Sequence, residues 1–154
     1  MRRFLLIAIT ISLLISCKGP AGDDGDPGQD GTVSKQERFV LVNGGLNTTD
    51  SVIIGDLIKF DIRNYTGVDS VIFVAFGLSG NVASSCIIEL YNLTDSSTVQ
   101  NSTLSTTSNS YVLLQSGNLF GHLPEKEITL GIKLKPSIPG QFAGVGKNFL
   151  FLYR

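Results

Sequence analysis

From Glu37 to the C-terminus, apolar side chains recur with a period of two, and no stretch of helical length carries a 3.6-residue stripe. That pattern admits strands and excludes a helical domain. Leu57-Ile58-Lys59-Phe60-Asp61-Ile62-Arg63 alternates, so Ile58, Phe60 and Ile62 are expected on one buried face and Lys59, Asp61 and Arg63 in water. Ile128, Leu130, Ile132 and Leu134 alternate in the same way with Thr129, Gly131, Lys133 and Lys135. Val71-Ile72-Phe73-Val74-Ala75-Phe76 is different: it is apolar on both faces, as a central or doubly covered strand is. Further strands are expected near 38–42, 50–54, 85–93, 97–104, 110–115 and 147–153. Turn residues separate them, among them Asn43-Gly44-Gly45, Ser79-Gly80-Asn81, Thr94-Asp95-Ser96-Ser97 and Ser116-Gly117-Asn118. Eight to ten short strands in about 120 residues predict an all-β fold, an antiparallel β-sandwich of jelly-roll-like type over residues 33–154.

The N-terminus obeys other rules. Arg2 and Arg3 precede an apolar run from Phe4 to Ile15, too short to span a bilayer as a helix and of the right length for a secretory h-region. The run ends in Leu14-Ile15-Ser16-Cys17. This tail resembles the lipobox of bacterial lipoproteins. The resemblance implies that residues 1–16 are a signal peptide cut before Cys17. It also implies that Cys17 is the lipidation site, with diacylglycerol on its thiol and a further acyl chain on the new amino terminus. Each buried methylene contributes about 0.8 kcal/mol, and two or more chains make anchoring stable. The partner implied is a membrane, reached through the lipid anchor on Cys17. The location implied is the bacterial cell envelope, at the outer membrane or cell surface.

Residues 17–32 continue from that cysteine into a strict triplet. Gly19, Gly22, Gly25, Gly28 and Gly31 stand in phase. With 17 glycines in 154 residues, five in phase at a given place have a chance on the order of 10⁻⁵ from composition alone. Glycine at every third position is what the crowded axis of a collagen triple helix requires. The segment resembles the collagen-like stalks that follow the lipidated cysteine in bacterial surface lipoproteins. Gly19 to Gly31 would span roughly 40 Å at about 3.1 Å per residue. Only Pro20 and Pro27 stiffen it, and Asp23, Asp24, Asp26 and Asp30 would meet their own copies across three chains. A triple helix therefore depends on heads that already trimerise; otherwise the segment is an extended, solvated spacer. Read instead as a calcium loop from Asp24, it places Lys35 where the bidentate glutamate belongs.

Charge excludes further classes. The chain has 12 Lys and Arg against 13 Asp and Glu; without Arg2 and Arg3 the balance is 10 against 13, or −3. No basic patch or run emerges, which argues against a nucleic-acid partner. With Cys17 lipidated, Cys86 has no intramolecular partner, and its setting in Ser85-Cys86-Ile87-Ile88 is that of a small buried hydrophobe.

Catalytic motifs are missing. One histidine, His122, cannot build a three-histidine zinc site, and no Cys/His spacing suits a metal, so no metal ligands and no cofactors are expected. There is no nucleophile elbow, phosphate loop or dinucleotide fingerprint. Gly140-Gln141-Phe142-Ala143-Gly144-Val145-Gly146 reads as a loop between strands, and Glu125 and Glu127 as a solvated strand start. Asn47, Asn64, Asn92 and Asn101 begin Asn-x-Ser/Thr triplets that mark surface turns. Carbohydrate sites usually use an exposed aromatic platform. Trp is absent, leaving Tyr65, Tyr91, Tyr111 and Tyr153, with Tyr65 the best placed for a loop.

The strand spacing of the C-terminal half, through Ile88-Glu89-Leu90-Tyr91, Ile128 to Lys135 and Phe149 to Tyr153, is similar to jelly-roll heads of bacterial and phage collagen-like proteins. A stalk followed by such a head also looks like the complement and tumour-necrosis-factor group, which implies a homotrimer. The reading is a non-enzymatic, lipid-anchored envelope protein displaying a β-sandwich head for interaction, adhesion or surface structure. The alternative is a surface carbohydrate-binding module. The residues of the head that contact a protein, matrix or glycan ligand are not identifiable from these motifs.

Overall fold

A computed structural model describes residues 35–154. Cys17 and the glycine triplets lie outside the described residues, as do the side chains of Asp56 and Ile58. The strands are β1 (Gln36–Val42), β2 (Leu46–Thr48), β3 (Val52–Phe60), β4 (Ser70–Ser79), β5 (Cys86–Asn92), β6 (Ser97–Thr98), β7 (Leu104–Thr106), β8 (Val112–Gln115), β9 (Ile128–Pro136) and β10 (Ala143–Tyr153). They form two antiparallel sheets. Sheet one runs β1-β10-β4-β8, with β2 also on β10; sheet two runs β3-β9-β5-β6, with β7 also on β5.

The chain changes sheet at β2–β3, β3–β4, β4–β5, β7–β8, β8–β9 and β9–β10. This repeated crossing wraps two antiparallel keys around one core, which is the jelly-roll arrangement of a β-sandwich. Inward side chains meet between the sheets: Val71, Phe73, Leu150 and Leu152 from sheet one, and Ile88, Leu90, Leu130, Ile132 and Leu134 from sheet two, are almost fully buried. Cys86 belongs to the same core.

Loop hydrogen bonds define the two ends. At one, Arg154 N–H donates to Lys35 O, Asp69 N–H to Tyr153 O, and Val71 N–H to Asn118 Oδ1. At the other, Gly80 N–H donates to Phe142 O and Gly140 N–H to Thr49 O. The head therefore begins and ends at the first.

Several elements depart from the simple alternation. The two strands expected over 50–63 are one strand, β3, with register shifts between Ile54 and Leu57 and between Leu57 and Phe60. Gly55 has a φ of 100°, and a Cβ there would lie 2.9 Å from Leu41 O, so only glycine suits the bend. These bulges also spoil a long exposed edge. The strand ends at Phe60, and Asp61, expected in water, is instead buried as the cap of a short 3₁₀ turn, Ile62–Asn64. The expected strand 97–104 is broken between β6 and β7. Asn101 is left-handed there (φ 61°), and the Ser102 hydroxyl donates to Val99 O and accepts from Leu90 N–H, replacing ladder bonds. The glycine-rich loop is also shorter than expected, because β10 starts at Ala143. Gly144 lies in strand there, where a Cβ would come within 2.7 Å of Asn47 Oδ1.

Gly131 on β9 is the tightest point: a Cβ would sit 2.5 Å from Ile54 O and 2.8 Å from a Leu93 methyl. Gly131→Ala is expected to lower stability by about 1–3 kcal/mol through overpacking. Gly117→Ala, where nothing lies within 4 Å, should change it by less than about 0.5 kcal/mol. Urea unfolding of the two variants checks the contrast.

Candidate functional site

The outer faces of the two sheets differ in chemistry. Sheet two turns polar groups outward. Lys135 pairs with Glu89 at 3.4 Å, Lys133 lies 5.9 Å over the Tyr91 ring, and Thr129 shares their face. This is the ordinary solvated side of an antiparallel sheet.

Sheet one turns an apolar surface outward. The register places Phe149 beside Val40 and Val74, Phe151 beside Ile72, and Phe76 beside Leu113. Phe149, Phe151 and Tyr153 form a row of rings with centroids 5.9 and 6.3 Å apart, and Arg38 caps Phe149 at 5.3 Å. Leu113 is 59% exposed, Tyr111 50%, Val40 43% and Phe76 37%. The doubly apolar strand seen in the sequence is β4, and its outward side chains belong to this face. No described element covers it. A patch of this kind is a candidate interaction surface.

A hollow of about 330 Å³ opens in that face, lined by Phe76, Tyr111, Gly146 and Lys147. It sits where β10 bulges between Val145 and Asn148. Asn148 is buried in the bulge and its Nδ2 donates to Gly146 O at 3.0 Å. Among the described residues its Oδ1 is the buried side-chain atom left without a hydrogen bond. A Cβ on Gly146 would crowd Phe76 Cβ at 3.2 Å, so glycine keeps the floor of the hollow open.

The second concave feature lies at the end where the head begins. A cleft of about 450 Å³ runs between the β5–β6 turn and the β8–β9 loop. Asp95 and Gln100 stand on one wall and His122 on the other, over Val99, Leu123 and Pro124. Asp95 accepts from Lys126 Nζ at 2.6 Å and from Asn92 Nδ2 at 2.8 Å. The Lys126 hydrogen bond holds the Asp95 carboxyl below its ordinary pKa. His122, in the 3₁₀ turn Phe120–His122, faces Asn101 Nδ2 through Nε2 at 2.8 Å.

The tyrosines divide between the two faces and the core. Tyr65 follows the 3₁₀ turn as expected of a loop residue. Its ring, however, is half-buried, with centroids 5.4 Å from Phe39 and 5.6 Å from Phe60, so it offers no platform. Tyr91 lies under Lys133, while Tyr111 and Tyr153 stand on the outer face of sheet one. Cys86 is buried and its thiol donates to Gly144 O at 3.4 Å; desolvation pushes its pKa up to about 11. His122 lies at the opposite end of β5 from it. Glu125 and Glu127 are exposed. Among the described residues no group of His, Cys, Asp and Glu could hold a metal, and no helix is long and apolar enough to cross a membrane. The outer face of sheet one was only half legible in sequence, through β4. The cleft was not, because its residues come from three separate turns.

No family model matches the chain, and neither a curated protein nor a solved structure matches it.

Two titrations follow. The Arg63 hydrogen bond is the main force holding the Asp61 carboxyl below its ordinary pKa, and Lys126 does the same for Asp95. Depressed folded values stabilise above the unfolded pKa, and that stability is lost as pH falls through the folded one. Stability should decline below about pH 4, and the slope should flatten in Asp61→Asn/Asp95→Asn, measured by urea midpoints between neutral pH and acid. Cys86 has the opposite sign. Its contribution is present below 9.0 and is lost between there and about 11. At pH 8 the native thiol should resist labelling until the chain unfolds.

Proposed function

We propose that this chain is a lipid-anchored display protein of a bacterial cell envelope, non-enzymatic, whose jelly-roll head associates with other copies of itself through the outer face of sheet one. The observation that carries the reading is that apolar face: Phe76, Leu113, Phe149 and Phe151 lie on one continuous surface that no described element covers. Leaving it in water forgoes about 25 cal/mol per Å².

The occupant is a further copy rather than an unrelated protein because of what precedes the head. Strand β1 belongs to this same sheet. The residues leading into it carry five glycines in phase, the spacing that a collagen triple helix requires. Anchoring at Cys17 would concentrate copies on one surface and favour their meeting. Three copies give a closed ring of heterologous contacts. The four aspartates of the stalk oppose that association, so the heads must supply it.

Light scattering of the acyl-free mature chain carrying Cys17→Ser is expected to give three times the chain mass. Phe76→Lys/Phe149→Lys should weaken association at least about a hundredfold, as loss of central interface anchors does, with the circular dichroism of the head unchanged. A mass of one chain at tens of micromolar, with wild-type residues on this face, would refute self-association. For the anchor, Cys17→Ala should move the protein from the membrane fraction to the soluble one; retention in the membrane would refute lipidation at that residue.

A further inference from the structure

We infer that the cleft between the β5–β6 turn and the β8–β9 loop binds a neutral, polyhydroxylated ligand, a saccharide. This does not depend on the anchor or on self-association. The cleft is built at the end of sheet two and shares no residue with the hollow on sheet one.

Charge narrows the ligand class. The lining carries one carboxylate, Asp95, already answered by Lys126 at 2.6 Å. An anion would meet that carboxylate, and a cation would meet a charge already neutralised. What remains is a set of uncharged donors and acceptors. Ser97, Thr98 and Gln100 bring two hydroxyls and an amide. Each Asp95 oxygen accepts one side-chain hydrogen bond, which leaves a lone pair free on each. With Asn101 Nδ2 donating to His122 Nε2, the other ring nitrogen, Nδ1, is the donor. Beneath these groups Val99 and Leu123 are buried and Pro124 is half-buried. Polar atoms around the rim over an aliphatic floor match a pyranose, with hydroxyls around its edge and C–H bonds on its face. At about 450 Å³ the volume lies in the range of small-molecule sites.

The rim is also held in costly conformations. Ser96 (φ 52°) and Asn101 (φ 61°) are two of the three non-glycine residues at positive φ among the described residues, and both flank the cleft. Each is less favourable than ordinary backbone. The Asn101 side chain, which glycine would lack, is what orients His122.

The chain holds one histidine, so its imidazole C–H signals in proton NMR report on the cleft alone. Titration of the mature chain with neutral trisaccharides (maltotriose, cellotriose, mannotriose and N-acetylchitotriose) should shift those signals saturably for at least one, with a dissociation constant on the order of 1 mM. Gln100→Ala, an exposed site, should weaken that binding at least about fivefold. The Phe76→Lys/Phe149→Lys chain should bind as wild type, which separates failure of this inference from failure of self-association. Signals that stay still to about 20 mM of every neutral trisaccharide would overturn the inference. So would a Gln100→Ala chain that binds as wild type, or tighter binding of a sulfated oligosaccharide than of the neutral ones.

Discussion

Strand β10 lies at the centre of sheet one and holds the head together. It pairs with β1, β2 and β4, so the sheet's order depends on it. Its inward side chains, Leu150 and Leu152, build the core with Phe73 and Val71. Its outward side chains, Phe149, Phe151 and Tyr153, are aromatic. Antiparallel sheets ordinarily spend one face on water. A strand apolar on both faces sits beside one of the same kind: β4 is apolar on both faces as well, so the outside of the sheet offers an apolar surface to a second layer. The sandwich supplies the inner layer, and further copies of the chain are proposed to supply the outer one.

The contrast with sheet two supports that division. Both sheets contribute to one core, yet Glu89, Lys133 and Lys135 face outward from sheet two while aromatic rings face outward from sheet one. Composition alone does not produce such a split, because the chain has enough Lys and Glu to cover either face. The cleft lies away from the apolar face, at one end of the polar sheet. Self-association through sheet one would leave it open, so display and ligand capture are compatible on one head.

Much of the sandwich was legible because burial on one side imposes a period of two, and Ile128 to Leu134 on β9 shows it without interruption. The places where alternation misled are places where a local bond overrode it. Asp61 alternates as a water-facing residue, but its carboxylate accepts Arg63 N–H at 3.0 Å and so caps the turn that follows β3. Residues 97–104 look like one strand, yet the Ser102 hydroxyl takes over the backbone bonds at Leu90 and Val99. Gly144 reads as loop from its neighbours, whereas its role is to let β2 and β10 approach closely. The apolar outer face announced itself only in Val71 to Phe76; Leu113 and Phe149 join it through register, which no local pattern encodes. The cleft depends on bringing Asp95, Gln100 and His122 together from separate turns, and its long-range contacts leave no spacing to read.

Whether the outer face of sheet one is buried against other copies can be measured directly at Leu113, on the edge strand β8. In a mature chain carrying Cys17→Ser and Leu113→Cys, the new thiol is the reactive one, since Cys86 is buried with its pKa at about 11. Its labelling rate should fall at least about tenfold as protein concentration rises from nanomolar to tens of micromolar, following mass action. A rate that stays at the value of an exposed cysteine across that range would contradict the account.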